Sequence, residues 1–243
     1  MPIQFLNTQR ALPAATPDGT PAQARGGRYG EAYEIQIGNQ YYGLLEEGSI
    51  FSAINPTIGT GIAASIQTSF LATNGFLTLR NNAGANGVRL IPQWIRLIPT
   101  VVAASATRIE AAITIDSIVR YSSGGTNITA LPCTNMDSAR TSSAVLHVGA
   151  LTLAAASANV RTLSRFQISS VINVAFEEYF IMFGAQGGDA GTLGGTVARR
   201  ATVSVPPIAL GPNANHSMQF HMWAPGNAAT PPSYEVEVCW VER

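Results

Sequence analysis

Histidines come first, because a neutral imidazole binds metals and moves protons near neutral pH. His216 and His221 lie five apart in His216-Ser217-Met218-Gln219-Phe220-His221. On a strand an odd spacing sends two side chains to opposite faces, so this pair does not chelate one ion. His147 has no acid at a useful offset. The paired acids Glu46-Glu47 and Glu177-Glu178 point apart on a strand in the same way, and read as edge or turn charges rather than an acid–base couple. Gly184-Ala185-Gln186-Gly187-Gly188-Asp189-Ala190-Gly191 lacks the Gly-Lys-Ser/Thr ending of a phosphate loop and precedes no helical pattern. The nucleophile pattern Gly-x-Ser-x-Gly does not occur. Arg199-Arg200 is too small a feature to define an anion site. The expectation is therefore a protein that is not an enzyme, with no catalytic residue, no cofactor and no metal.

Aromatic residues are better candidates for contact. Trp94, Trp223 and Trp240 all fall on alternating segments. The plain reading of all three is core; one of them as a sugar platform is the alternative. Trp240, close to the C-terminus, implies that the last strand lies inside a sheet.

The positioning elements follow from alternation. Arg108–Tyr121 puts Ile109, Ala111, Ile113 and Ile115 on one parity and Arg108, Glu110, Thr114, Asp116 and Arg120 on the other. That is a strand with one face on a core and one toward water or a partner. Further strands are expected at 48–54, 76–80, 88–98 (interrupted by Pro92), 145–153, 160–176, 179–183, 201–205, 218–223 and 234–241. A hairpin is expected over 33–45, and a helical turn or two over 62–69. The stretch 122–143 reads as a long loop, a length more often functional than idle, and 184–195 as a glycine-rich loop; in the alternative reading of a carbohydrate- or receptor-binding module these two form its site at one end. About ten strands with little helix point to an all-β fold, best read as a jelly-roll-like two-sheet β-sandwich over residues 31–243.

Residues 1–30 differ from the rest. Pro2, Pro13, Pro17 and Pro21 punctuate Ala, Thr, Gln and Gly, a composition that does not order itself alone. Ile3, Phe5, Leu6 and Leu12 are nonetheless apolar, and Arg25 and Arg28 close the segment. An extended N-terminal arm that docks on a neighbour suits this mixture, with those six residues as its contacts; a frayed terminus is the alternative.

Charge supports assembly. The chain carries 14 basic and 14 acidic residues, and every basic residue is arginine. Charged residues make up 12%, about half the usual share. Arginine forms flat multi-donor contacts suited to interfaces. Zero net charge gives no reason to expect nucleic acid or an anionic membrane as partner. Cys133 and Cys239 are too few for a disulfide framework and read as free thiols. No N-terminal signal pattern and no convincing span are seen, which suggests a soluble protein made in a reducing cytoplasm.

Several strings, in order, resemble virion structural proteins of tailed bacteriophages. They are Gly26-Gly27-Arg28-Tyr29-Gly30-Glu31, Gly48-Ser49-Ile50-Phe51, Asn55-Pro56-Thr57-Ile58-Gly59-Thr60-Gly61-Ile62-Ala63, Arg120-Tyr121-Ser122-Ser123-Gly124-Gly125-Thr126 and the ending Pro231–Arg243. The likeness implies a capsid decoration (cement) protein in the virion, assembled in the host cytoplasm. Its implied partners are itself, as a homotrimer, and the major capsid protein. A head or collar spike, or a tail receptor-binding module that takes a glycan, is the other implied role.

Overall fold

The computed structural model describes residues 44–45, 48–83, 87–102, 108–128, 141–169, 177–184, 200–212, 215–225 and 231–243. The chain divides into two units at Glu47/Gly48. The sandwich lies in Gly48–Arg243. Leu44 and Leu45, expected in a strand, are helical.

Twelve strands are present among the described residues. They are β1 (Ile50–Ile54), β2 (Ile62–Ala63), β3 (Asn74–Asn81), β4 (Leu90–Val101), β5 (Ile109–Asp116), β6 (Tyr121–Ile128), β7 (Ala144–Leu153), β8 (Arg161–Ser169), β9 (Glu178–Phe183), β10 (Arg200–Val205), β11 (Ser217–Trp223) and β12 (Ser233–Glu242). Sheet 1 has the order β1-β12-β4-β9-β10, with β2 also on β12, and sheet 2 the order β6-β7-β3-β11-β5-β8. The expected two-sheet β-sandwich is the fold.

Its connectivity is that of a rolled ribbon. Leaving aside β2, β6, β7 and β10, the first remaining strand pairs with the last and so on inward: β1 with β12, β3 with β11, β4 with β9, β5 with β8, all antiparallel. Successive pairs fall in alternate sheets. This is the jelly-roll arrangement. The pair β6–β7 extends sheet 2 beyond β3, and β10 extends sheet 1 beyond β9, parallel to it.

Alternation drives the sheets together. In β11, Met218, Phe220 and Met222 enter the core; in β12, Tyr234, Val236, Val238 and Trp240 do so from the other sheet. Phe76 of sheet 2 meets Tyr234 of sheet 1 edge-on at 5.6 Å, and its own neighbour Phe220 at 6.2 Å. Pro92 and Pro99 sit in the central strand β4, where a missing N–H would break a ladder. Both lie next to a register shift against β12, between Cys239 and Trp240 and between Ser233 and Tyr234, so the irregularity absorbs them.

Four expectations are corrected. Arg108–Tyr121 is not one strand: β5 ends at Asp116 and the chain turns before β6. The stretch 62–69 forms β2 and no helix, because Ile62 and Ala63 find an edge on β12. The first part of the supposed loop 122–143 is β6; its glycines hid it. Gly124 and Gly125 take φ of 86° and 67°, beside a register shift against β7, and a Cβ on Gly125 would strike Leu151 and the Val148 carbonyl. Finally, the charged parity of β5 faces no water: Glu110 and Asp116 are each 4% exposed.

Candidate functional site

Each sheet has a face turned away from the core, and the two faces differ in chemistry. On sheet 2 one cross-strand row reads Asn127, His147, Thr78, Gln219, Thr114, Thr162, polar in all six strands. On sheet 1 the rows read Ser52, Cys239, Trp94, Met182, Ser204 and Ile54, Glu237, Arg96, Phe180, Thr202.

The middle of the sheet 2 face is polar but buried, with Asn127 and Thr162 exposed at its two ends, so its central groups must bond one another. Ser217 Oγ donates to the Ile118 carbonyl at 2.6 Å, and Gln219 Nε2 donates to Ser217 Oγ at 2.6 Å. Thr114 Oγ1 donates to Gln219 Oε1 at 2.9 Å and lies 2.9 Å from His221 Nε2. His221 Nδ1 lies 2.7 Å from the Asn74 carbonyl. Burial pushes the His221 pKa down to about 4; the bond to Asn74 opposes this and the Arg120 charge reinforces it. His147 stacks flat on Tyr121 at 3.6 Å, and burial, with Arg80 nearby, lowers its pKa. Thr78 Oγ1 is buried without a hydrogen-bond partner among the described residues.

Charged groups on this sheet act as pins. The Glu110 carboxylate takes Arg108 at 2.6 Å and both Nε and an Nη of Arg165, whose guanidinium lies over Trp223 at 5.6 Å. Phe70 packs edge-on against both His221 and Trp223, at 5.2 and 5.4 Å. Arg120 is 1% exposed and donates to the carbonyls of Ala154 (2.8 Å) and Ala72 (2.7 Å), with Asp116 at 3.4 Å. Burial alone would raise the Asp116 pKa, but bonds from Ser157 and Ser117 and the Arg120 charge outweigh it and hold the carboxyl low. These contacts tie the strand ends to the connecting segments.

The sheet 1 face is more exposed and mixed, with large apolar side chains among Ser52, Ser204, Thr202, Arg96 and Glu237. Ile54 is 43% exposed; Trp94, Ile98, Phe180 and Met182 are intermediate. Trp94 and Phe180 are tilted together at 5.7 Å. Arg96 Nε lies 3.3 Å from Glu237 Oε2, close enough for charge attraction yet not aligned as a hydrogen bond. Cys239 is a free thiol on this face, and burial, with Glu237 nearby, pushes its pKa up to about 11.

The residues singled out in the sequence are not gathered into one site. Ile3, Phe5, Leu6, Leu12, Arg25 and Arg28 lie outside the described residues, as do Glu46, Glu47, Cys133, Arg199 and the loop 185–195. His216 precedes β11 and accepts from the Gly211 N–H at 3.1 Å, away from His221's partners. Glu177 accepts from Tyr179 Oη at 2.7 Å, and burial, reinforced by this contact, raises the tyrosine pKa. Trp240 is fully buried between the sheets as the core reading expects; Trp223, 6% exposed, points out of sheet 2 and is covered by Phe70 and Arg165, and Trp94 points out of sheet 1 half-exposed. Among the described residues, no group of three or more His, Cys, Asp or Glu side chains is disposed to hold a metal ion.

The half-exposed apolar side chains on the outer face of sheet 1 were missed in the sequence. Their signal was there, since Trp94 and Ile98, Phe180 and Met182 occupy the parity opposite the core residues Ile95, Leu97 and Ile181. Comparison with protein-family models, with curated proteins and with solved structures finds no match.

Proposed function

We propose that the protein is a non-enzymatic structural component of a tailed-bacteriophage virion, an oligomeric decoration or cement protein held on the capsid shell. Its N-terminal segment supplies Ile3, Phe5, Leu6 and Leu12 as contacts, and a face of the sandwich supplies the rest. The observation that carries this reading is the rolled-ribbon pairing of β1 with β12 through β5 with β8. Viral capsid domains use that architecture, although lectins and cupins use it too, so topology by itself does not choose. The phage-like strings in the sequence and the sparse, lysine-free charge weigh toward the virion.

Deleting residues 1–25 tests the reading. The expected result is a shortened chain with an unchanged β spectrum that occupies purified capsids poorly. Equal occupancy with and without the segment refutes attachment through it.

A second reading, a receptor-binding module that takes a glycan, draws on Trp94, a half-exposed tryptophan beside Phe180 on the outer side of sheet 1. Glycan-array binding that disappears in Trp94→Ala would favour it over cementing.

A further inference from the structure

We infer that the outer face of sheet 2 carries an oxyanion site at its β6–β7–β3 end, where Arg80, Thr78, His147 and Asn127 take up a carboxylate or phosphate group. The assignment goes beyond the virion reading and does not rest on it.

Strand pairing puts these residues together. Thr78 of β3 stands directly opposite His147 of β7, and His147 stands opposite Asn127 of β6. Directly paired side chains lie about 5 Å apart on one face, and residues two apart on a strand, such as Thr78 and Arg80, share that face. The face is the outer one, because Leu77 and Leu79 on the other parity enter the core. Exposure is graded across the group: Asn127 is exposed, Arg80 half-buried, His147 9% exposed and Thr78 1% exposed. The group opens outward over Asn127 and Arg80, with Thr78 as its floor.

Hydrogen-bond donors and positive charge are what these residues offer. The adjacent strands β6, β7, β3 and β11 contain no aspartate or glutamate. Arg80 makes no ion pair among the described residues. Asp116, on the same cross-strand row beyond Ser217, is already held by Ser117, Ser157 and Arg120. His147 stacks on Tyr121 but has no hydrogen bond at either ring nitrogen among the described residues, and a neutral imidazole keeps one N–H to donate. Burial lowers its pKa, and so does the charge of Arg80, which therefore acts at the ring.

Thr78 Oγ1 is the independent sign of a ligand. It is buried with no partner among the described residues, while Gln219 and Thr114 on the same row are bonded. A buried hydroxyl left unanswered is costly and calls for a cause. One bound oxyanion gives all these donors an acceptor and supplies the counter-charge that Arg80 lacks.

Calorimetric titration of the full chain at low ionic strength tests the inference, with inorganic phosphate, acetate and glucuronate as probes and glucose as the neutral control. Saturable binding of an anion at millimolar or lower concentration is expected, weakened about tenfold or more in Arg80→Gln. Equal affinity for acetate and glucuronate assigns the site to a free anion, and tighter glucuronate assigns it to an acidic sugar. Thr78→Val separates binding from folding. It removes an unpartnered hydroxyl, so the denaturant midpoint should hold or rise while anion affinity falls. The His147 ring resonance, identified by its loss in His147→Gln, should titrate at higher pH with the anion bound, because the bound charge offsets Arg80. Absence of saturable anion binding, or full affinity in folded Arg80→Gln and Thr78→Val, would overturn the site.

Discussion

Acidifying the protein from pH 6.5 toward pH 4 should destabilise it by about 3 kcal/mol through His221. The sign follows from proton counting. With a folded pKa of about 4 against 6.5 for the free group, the unfolded chain binds a proton in this window and the folded chain does not. Stability is therefore complete above pH 6.5 and is lost as pH falls to the folded pKa. His147, also shifted down, adds in the same direction. Asp116 does not interfere: its low pKa removes stability only below its ordinary value of 3.8.

The hydrogen-bond chain pulls the other way, which makes the prediction a real test. Ser217 spends its proton on Ile118, so Gln219 must turn its amide nitrogen to Ser217 and its oxygen to Thr114. Thr114 then donates to Gln219 and can only accept from His221, while the Asn74 carbonyl also needs a proton from the ring. Every acceptor is filled only by an imidazolium. A neutral ring leaves one acceptor short, a loss of about 1–3 kcal/mol. Burial of a full charge at a site 2% exposed, with Arg120 adding repulsion, is the larger effect. Urea unfolding at a series of pH values measures the balance, with His221→Gln as control. Wild-type stability should fall across the window while the variant falls less. Stability that rises on acidification would mean that the hydrogen bonds win and that the ring is charged in the folded protein.

Arg120→Ala should cost about 3–5 kcal/mol in denaturant midpoints, because it leaves Asp116 buried without its cation and two carbonyls without donors. Arg120→Lys should recover only part of that, since an ammonium cannot reach three acceptors in fork geometry; full recovery would show that charge alone matters. Cys239, with its thiol pushed up to about 11, should resist a thiol-exchange reagent in folded Cys133→Ser protein at mildly alkaline pH and react quickly in denaturant. Rapid reaction in the folded protein would contradict its burial.

Strand positions were legible because alternation is a local property. Residues 145–153, 179–183, 201–205, 218–223 and 234–241 each lie within a strand of the structure. Trp240 correctly marked β12 as interior, since a large aromatic near a chain end needs cover from both β1 and β4. Glycine concealed β6, where positive φ at Gly124 and Gly125 lets an edge strand bulge against β7. The sheet partners were not legible at all. Nothing local in Ile50–Ile54 says that it pairs with residues 237–241, nearly the whole chain away.

Alternation also failed in an instructive way at the candidate sites. It separates two faces of a strand but does not say which non-core face meets water. Glu110 and Asp116 looked solvated because they are charged, yet both are buried and answered by Arg108, Arg165, Arg120 and Ser157. Trp94 looked like core because it is aromatic, yet it lies with Phe180 on the outward side of sheet 1. Charge and hydrophobicity report what a face must be matched with, and only topology reports where the match is. On sheet 2 the matching groups are supplied within the chain. On sheet 1 the two kinds share one half-exposed face, where Arg96 is matched to Glu237 across adjacent strands and Trp94 to Phe180, so there too the match is read from the pairing of strands and not from either segment alone.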